Sequence, residues 1–182
     1  MKAESLLPRK MELGSRVMLS GSIFTARDKA HKFLLESDEL KEEITGGVIY
    51  HCGPIVKRGF LSSKIVSAGP TTSERLSSFT PELIKKYKIK AIIGKGGMDD
   101  DTLAALKKYG CVYLAAIGGA GALIAERIRS VINTYKEQEF GMPEAIYELE
   151  VEDMPLVVAM DAKGNSLYKT VFLQSLSKKQ NL

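Results

Sequence analysis

The chain has 182 residues, a net charge of +4, two cysteines and two histidines. This length is sufficient for one compact domain with a sizeable core. Hydrophobic residues make up 45% and charged residues 26%, a balance that excludes a disordered chain, a collagen or a coiled coil. Two cysteines can build neither a disulfide scaffold nor a self-sufficient four-cysteine metal site.

The charge and hydropathy patterns do not favour a nucleic-acid or a membrane partner. The one small basic cluster, residues 85–90, is typical of a solvated helix face, whereas nucleic-acid binders usually carry denser patches interleaved with aromatic residues. The longest uncharged run, between Lys108 and Glu126, is short for a membrane helix and is interrupted by glycines. Residues 1–5 contain an acid and lead into no apolar segment, so we expect no secretory signal and a cytoplasmic protein with reduced cysteines.

In chain order, the predicted elements alternate between strands and helices in the middle and end in a β-meander. An N-terminal arm covers residues 1–12, and strands are predicted at 16–21, 46–53, 64–69, 89–94 and 112–117. Helices are predicted to start at the capping residues Thr25, Thr71, Thr80 and Asp99, and another helix is predicted from Gly118 to about Arg129. Strands at 145–151, 156–160 and 166–172 follow, and a flexible basic tail covers 177–182. The pattern predicts a single mixed α/β domain over residues 1–182.

Glycine turns follow three of the predicted strands, at residues 69–72, 94–97 and 118–121. In open α/β sheets, such strand ends and the helix starts beside them share one edge, where helix N-termini attract carboxylates or phosphates. Gly69, Gly94 and Gly96 are therefore candidates to line a ligand site.

The third of these turns also resembles a dinucleotide-binding pattern. Gly119-Ala-Gly121 follows a strand and Glu139 comes about 20 residues later, as that pattern requires. The third small position is occupied by Ile124, however, so close packing of a helix on a strand is the preferred explanation for these glycines.

Four polar residues are candidates to bind an anionic substrate. Arg27 follows a predicted helix start, Thr71 and Arg75 are one helical turn apart, and Lys95 lies between two glycines that permit close approach of a ligand. Each has an ordinary alternative: an exposed first-turn arginine, a helix cap, a surface salt bridge and a solvated lysine, respectively. Three bases and one hydroxyl near helix starts suit a dianionic substrate.

The histidines and cysteines are weaker candidates. His31, one turn after Arg27, is a candidate to line or cap the site. His51 and Cys52 precede a Gly-Pro turn and are expected to pack in the core, and Cys111, at the start of a buried strand, is expected to be inert.

Seven motifs occur in one order along the chain: Thr25-Ala-Arg-Asp-Lys-Ala-His, Tyr50-His-Cys-Gly-Pro54, Ser67-Ala-Gly-Pro-Thr-Thr-Ser-Glu-Arg75, Ile93-Gly-Lys-Gly-Gly97, Ala116-Ile-Gly-Gly-Ala120, Phe140-Gly-Met-Pro-Glu-Ala-Ile-Tyr147 and Val151-Glu-Asp-Met-Pro155. Together they closely resemble the β subunit, or C-terminal domain, of class I iron–sulfur fumarases and L-tartrate dehydratases. The resemblance covers the chain from about Leu13 to Tyr168. The alanine at position 26 is similar to the split, two-chain enzymes, since the fused enzymes usually have glycine there.

The resemblance implies a swivelling β/β/α domain that works together with an α subunit. The [4Fe–4S] cluster would be held by three cysteines of that subunit, so this chain would contribute no metal ligand. An α2β2 heterotetramer and a C4 dicarboxylate substrate are further expectations.

The resemblance also implies an activity and a role for each candidate. The expected reaction is the reversible hydration of fumarate to L-malate, with L(+)-tartrate dehydratase as the alternative. By the family pattern, Arg27, Arg75 and Lys95 bind the substrate carboxylates, while Thr71 binds substrate and matches the proposed proton-abstracting residue. A dinucleotide-binding oxidoreductase is a distant alternative. A non-catalytic interaction module is disfavoured by the presence of all four residues.

Overall fold

The computed structural model describes residues 1–59 and 63–180. The strands within these residues are β1 (Arg16–Thr25), β2 (Val48–Tyr50), β3 (Ile55–Arg58), β4 (Ser63–Ser67), β5 (Ala91–Gly94), β6 (Val112–Ala115), β7 (Ile128–Tyr135) and β8 (Ile146–Met160). The helices are α1 (Asp28–Glu36), α2 (Lys41–Ile44), α3 (Thr80–Tyr87), α4 (Asp100–Tyr109), α5 (Gly121–Ala125), α6 (Glu137–Phe140) and α7 (Leu167–Gln180). Short 3-10 helices occur at Ala3–Ser5, Pro8–Lys10, Glu74–Leu76 and Met142–Glu144. Within the described part of the chain, no helix combines the length and the apolar character needed to cross a membrane.

Five of the strands close into a small barrel. β1, β2, β5 and β6 run parallel in that spatial order, and β8 pairs antiparallel with both β6 and β1. Closure is possible because β8 has 15 residues, of which 148–157 pair with β1 and 157–160 with β6. β7 adds to β8 on one side, and β3 and β4 form a separate hairpin. The prediction of a mixed α/β domain of the β/β/α type is confirmed.

Alternation of side chains along the barrel strands divides the interior into two cores. On β2, Val48 and Tyr50 point into the barrel, whereas Ile49 points outward to the helices. The outer core is completed by α1, α3 and α4, which contribute the buried Leu34, Leu83 and Leu106, among others. Because both faces of β2, β5 and β6 are covered, these three strands are short apolar runs, as the sequence predicted.

The helix starts show where local capping signals hold and where a distant partner replaces them. Asp99 caps α4 as predicted, because its carboxylate accepts the Thr102 N–H at 2.8 Å. Thr25 does not cap α1: it is the last residue of β1, and its hydroxyl accepts the N–H of Tyr147 at 3.0 Å. The position before α1 is occupied instead by Arg27, which does not cap the helix with its side chain.

The predictions for residues 118–160 were partly wrong. The helix expected to reach Arg129 ends at Ala125, and the chain continues as β7, which pairs with β8. The strands expected at 145–151 and 156–160 are one strand, with Asp153 (φ 49°) between their predicted positions. The register against β1 shifts in this region, which is the behaviour of a β-bulge that bends a strand without ending it.

The last predicted strand, at 166–172, is wrong, because helix α7 starts at Leu167. The helical conformation places the ring of Tyr168 against that of Tyr113, with 6.4 Å between ring centroids, and pairs Lys169 with Asp100. Residues 177–180 of the predicted basic tail continue this helix, whereas 181–182 lie outside the described residues and the flexibility of the tail stays a prediction. The N-terminal arm is tied to the barrel core through the buried Leu6.

Candidate active site

The carboxyl ends of the parallel barrel strands lie at one edge of the domain, and a crossing segment, residues 68–75, packs over them. The Thr71 N–H donates to the carbonyl of His51, just after β2, at 2.7 Å. The Ser73 N–H donates to the carbonyl of Lys95, just after β5, at 3.0 Å. These backbone bonds hold Thr71 and Lys95 at the same edge, which we call the site edge.

Arg27 reaches the site edge from the end of β1 and is held by Glu144. Its Nε lies 3.3 Å from Glu144 Oε1, and the other carboxylate oxygen accepts the Lys29 N–H at 3.0 Å in the first turn of α1, where the helix dipole favours an anion. Gly53 passes so close that a Cβ at this position would lie 2.7 Å from Arg27 Cδ. Sequence reasoning did not identify Glu144, although it lies in one of the quoted motifs, because nothing local indicates its distant partner.

Thr71 and Arg75 are in direct contact. Arg75 Nη2 donates to Thr71 Oγ1 at 2.9 Å, and it also lies 3.1 Å from Asp28 Oδ2. The α-helix predicted from Thr71 is only the 3-10 helix Glu74–Leu76, and the Thr71 side chain engages Arg75 rather than capping a helix. The ion pair of Arg75 with Asp28 is nearly half exposed, so it holds the guanidinium weakly and leaves it able to turn toward a ligand.

Lys95 is half-buried between Gly94 and Gly96, and Gly96 has the left-handed φ of 83° that favours glycine. Its methylene chain passes Gly118, where a Cβ would lie 3.6 Å from Lys95 Cδ. Across the residues that the structure describes, no carboxylate lies within 4 Å of its ammonium group. The charge of Lys95 is therefore available to an anionic ligand.

Gly121, in the 118–121 turn, and Gly69 have a packing role. Gly121 accepts the Ala68 N–H at 2.9 Å, and a Cβ at Gly121 would lie 2.5 Å from Ser67 Oγ. A Cβ at Gly69 would in turn contact Gly121 Cα at 3.5 Å. These glycines thus permit the turn to approach the end of β4 closely. Helix α5 has only five residues and is short for the helix of a dinucleotide-binding site.

Two buried histidines lie directly behind the site edge, with ring centroids 5.0 Å apart. His31 Nδ1 lies 2.8 Å from the Arg27 carbonyl, which can only accept, so this nitrogen carries the proton. Burial lowers the pKa of His31 to about 4, and burial together with His31 and Arg75 lowers the pKa of His51 well below its ordinary value. Both rings are therefore neutral at pH 7. The predicted core position of His51 agrees with its burial, but its contacts with the crossing segment were not foreseen.

The cysteines of this chain do not fit an iron–sulfur cluster. Both are fully buried, and burial raises the pKa of Cys52 to about 12 and also raises that of Cys111. Within residues 1–59 and 63–180, no group of three or more His, Cys, Asp or Glu side chains is arranged to hold a metal ion. The thiols stay protonated in the core, so the site edge offers cations and a hydroxyl rather than metal ligands.

The site edge thus combines Arg27, Arg75 and Lys95 with the hydroxyl of Thr71. Guanidinium and ammonium groups at one edge suit a small molecule with two carboxylates. None of the four residues lines the groove of about 660 Å3 that lies between β4 and β7. The geometry defines an α/β domain with a cation-rich edge that is a candidate site for an anionic ligand.

Comparison with known proteins narrows this class. The family model described as "Fumarase C-terminus" matches residues 4–171, and the chain therefore belongs to the fumarase C-terminus family. The chain is 46% identical over 168 residues to a protein of Methanocaldococcus jannaschii named putative L(+)-tartrate dehydratase subunit beta, and the match covers 90% of this chain and 86% of the relative.

Two further relatives carry related names. A putative fumarate hydratase class I of Geobacillus stearothermophilus is 42% identical over 171 residues, which are 93% of this chain but only 33% of that longer protein. The L(+)-tartrate dehydratase subunit beta of Escherichia coli K12 is 33% identical over 168 residues, covering 91% of this chain and 82% of the relative.

Proposed function

We propose that this chain is the β subunit of a two-chain iron–sulfur hydro-lyase that reversibly adds water to fumarate to form L-malate. The observation that carries the proposal is the location of Arg27, Thr71, Arg75 and Lys95 at one edge of a fumarase C-terminus domain. The relative named fumarate hydratase class I supports this choice of substrate.

An L(+)-tartrate dehydratase β subunit is the second candidate. It is favoured by the names of two relatives, the Methanocaldococcus jannaschii protein and the Escherichia coli protein. Malate and tartrate are both C4 dicarboxylates, so the cations of the site edge would bind the carboxylates of either one.

In the proposed mechanism, this chain binds the dicarboxylate and stabilises charge. Arg27, Arg75 and Lys95 pair with the carboxylates, and the same cations stabilise the negative charge that develops when the C–H proton leaves. Thr71 is the proposed proton acceptor, and the hydrogen bond from Arg75 to Thr71 Oγ1 supports this role because a cationic donor stabilises negative charge on that oxygen. A threonine hydroxyl is a weak base, so a carboxylate of the partner chain is proposed to remove the hydroxyl proton of Thr71 before Oγ1 accepts the proton from the substrate carbon.

The partner is proposed to be the α subunit, in an α2β2 heterotetramer in the cytoplasm. Three cysteines of that subunit would hold the [4Fe–4S] cluster, which would supply a Lewis-acidic iron for the hydroxyl group of the substrate. The exposed apolar side chains of Ile117 (65%) and Leu123 (64%) flank the 118–121 turn at the site edge. Because a subunit that completes the site must reach this edge, we place its docking surface there.

The test uses the chain together with its α subunit. The complex is reconstituted anaerobically with iron and sulfide, and turnover of fumarate, L-malate and L(+)-tartrate is measured. We expect turnover by the cluster-loaded complex and none by the isolated chain, which should be colourless. A loaded complex that converts none of the three would contradict the hydro-lyase assignment, and the preferred substrate decides between the two candidates.

The role of Lys95 is tested in the same assay. Replacing Lys95 with Ala should lower kcat/KM by about 10²–10³-fold, since removing one such donor typically costs ~3–4 kcal/mol of transition-state stabilisation. Lys85→Ala is the matched control, because Lys85 lies exposed on α3 beside Glu82. Unaltered kinetics in the Lys95 variant would exclude it from the site.

A further inference from the structure

A chain of three buried polar side chains lies behind the site edge. The hydroxyl of Tyr113, on β6, donates to Ser73 Oγ at 2.9 Å, and Ser73 Oγ lies 2.9 Å from His51 Nδ1. All three residues are fully buried. Because unpaired polar groups are costly in such surroundings, these contacts define the conformation of the side chains strongly.

Tyr113 donates to Ser73 Oγ, and the Ser73 hydroxyl shares a second hydrogen bond with His51 Nδ1, whose direction depends on the tautomer of His51. The other ring nitrogen of His51, Nε2, is buried and has no hydrogen-bond partner among the described residues. One continuous series of hydrogen bonds therefore runs from Tyr113 through Ser73 to His51.

The same residues supply the backbone bonds that hold the crossing segment on the barrel. The carbonyl of His51 accepts the Thr71 N–H at 2.7 Å, and the Ser73 N–H donates to the Lys95 carbonyl at 3.0 Å. The Ser73 side chain thus connects the end of β2, strand β6 and the crossing segment, while its N–H connects that segment to the end of β5. Displacement of Ser73 would move Thr71 relative to Lys95.

Gly94 belongs to this arrangement as well. A Cβ at Gly94 would lie 1.9 Å from Ser73 Oγ and 3.0 Å from the Tyr113 hydroxyl oxygen. A side chain here would occupy the position of the serine hydroxyl. The glycine before Lys95 therefore leaves room for the buried hydrogen bonds, in addition to any role in lining the site.

We propose that Tyr113, Ser73 and His51 are positioning residues that set Thr71 and Lys95 in register for proton transfer and carboxylate binding, an inference that rests on the proposed function. They act through the crossing segment and do not touch the substrate. Loss of these buried hydrogen bonds should lower kcat more than it raises KM. Three cations would still attract the dicarboxylate, whereas Thr71 would be displaced from the reacting carbon.

The first test is independent of catalysis and uses the full-length protein without its partner subunit. Amide hydrogen exchange of residues 68–76 is compared in wild type, Ser73→Ala and Tyr113→Phe. The matched control is Tyr87→Phe, because Tyr87 is equally buried and donates to the Leu34 carbonyl at 2.7 Å in the outer core. The first two variants should exchange faster in this segment, and the control should not. Unchanged exchange in both variants overturns the inference.

The second test uses the reconstituted complex and two substitutions of His51. An asparagine amide can occupy the position of His Nδ1 and still form a hydrogen bond with Ser73, whereas leucine cannot. We expect His51→Asn to keep kcat within about threefold of wild type and His51→Leu to lose at least about tenfold, with a smaller change in KM. Equal losses in the two variants overturn the positioning role.

The two tests also separate this inference from the proposed function. If the wild-type complex converts no dicarboxylate, the proposed function fails. The exchange experiment still decides whether the hydrogen bonds among Tyr113, Ser73 and His51 hold the crossing segment. Should His51→Leu not fold, Tyr113→Phe gives the same comparison of kcat with KM, since it removes one hydroxyl and leaves the ring in place. A Tyr113→Phe complex with the kcat of Tyr87→Phe contradicts the inference.

Discussion

Acid should destabilise this protein through His31, and the effect can be isolated by substitution. His31 is fully buried, and burial lowers its pKa from 6.5 to about 4. Each unit of difference between the folded and unfolded pKa corresponds to about 1.4 kcal/mol. The reference variant is His31→Asn, whose amide can occupy the position of Nδ1 and donate to the Arg27 carbonyl as the histidine does.

The sign follows from which state binds the proton. Above pH 6.5 His31 is unprotonated in both the folded and the unfolded state, so proton binding at this residue does not lower the free energy of unfolding. As the pH falls from 6.5 to 4, the unfolded chain binds a proton that the folded chain excludes, so stability decreases. The loss should be about 2 kcal/mol at pH 5 and about 3 kcal/mol below pH 4. His51, whose pKa is also lowered, contributes in the same direction in both proteins.

The assay is urea unfolding of wild type and His31→Asn between pH 8 and pH 4.5. The carboxylates and His51 are common to both chains, so the difference between the two free energies of unfolding reports on His31. Relative to the variant, wild type should lose about 2 kcal/mol between pH 7.5 and pH 5. A difference that stays constant over this range would refute the argument that buried His31 excludes the proton.

Three further predictions concern packing, the arginine anchor and the thiols. Gly94→Ala should lower the free energy of unfolding by about 1–3 kcal/mol in urea, because its Cβ would collide with Ser73 Oγ, and wild-type stability would contradict this. Glu144→Gln should raise KM of the complex about two- to fivefold, the equivalent of ~0.5–1 kcal/mol for the partly exposed pair with Arg27, so an unchanged KM would argue against the anchor. Cys52, whose pKa burial raises to about 12, should react with a disulfide reagent at pH 8 only after unfolding, and rapid labelling of the native chain would disprove its burial.

Much of the fold and of the candidate site was predictable because the signals are local. Short apolar runs ending in glycine mark β2, β5 and β6, and the polar residues after them must lie at the carboxyl ends of parallel strands. Thr71 and Arg75 could be paired from their spacing, and their side chains do meet at 2.9 Å. The Asp99 cap was equally predictable, since the Thr102 N–H that its carboxylate accepts lies only three residues away.

The errors arise where a residue has a choice between a local and a distant partner. Thr25 has the sequence context of a helix cap, but the antiparallel neighbour of β1 presents the Tyr147 N–H to its hydroxyl. A strand was predicted at residues 166–172, yet no barrel position is left for it after β8 has paired with both β1 and β6. Tyr168 packs against Tyr113 from the first turn of a helix instead.

The sequence by itself determined the class of fold and placed four polar residues of the candidate site at one edge of the sheet. Only the tertiary structure decided what holds them: Glu144 beside Arg27, Asp28 beside Arg75, and the buried hydroxyl of Ser73 behind Thr71. The reason is physical. Strand ends and turns are specified by neighbouring residues, whereas these partners meet only after the barrel has closed and brought distant segments within hydrogen-bond distance.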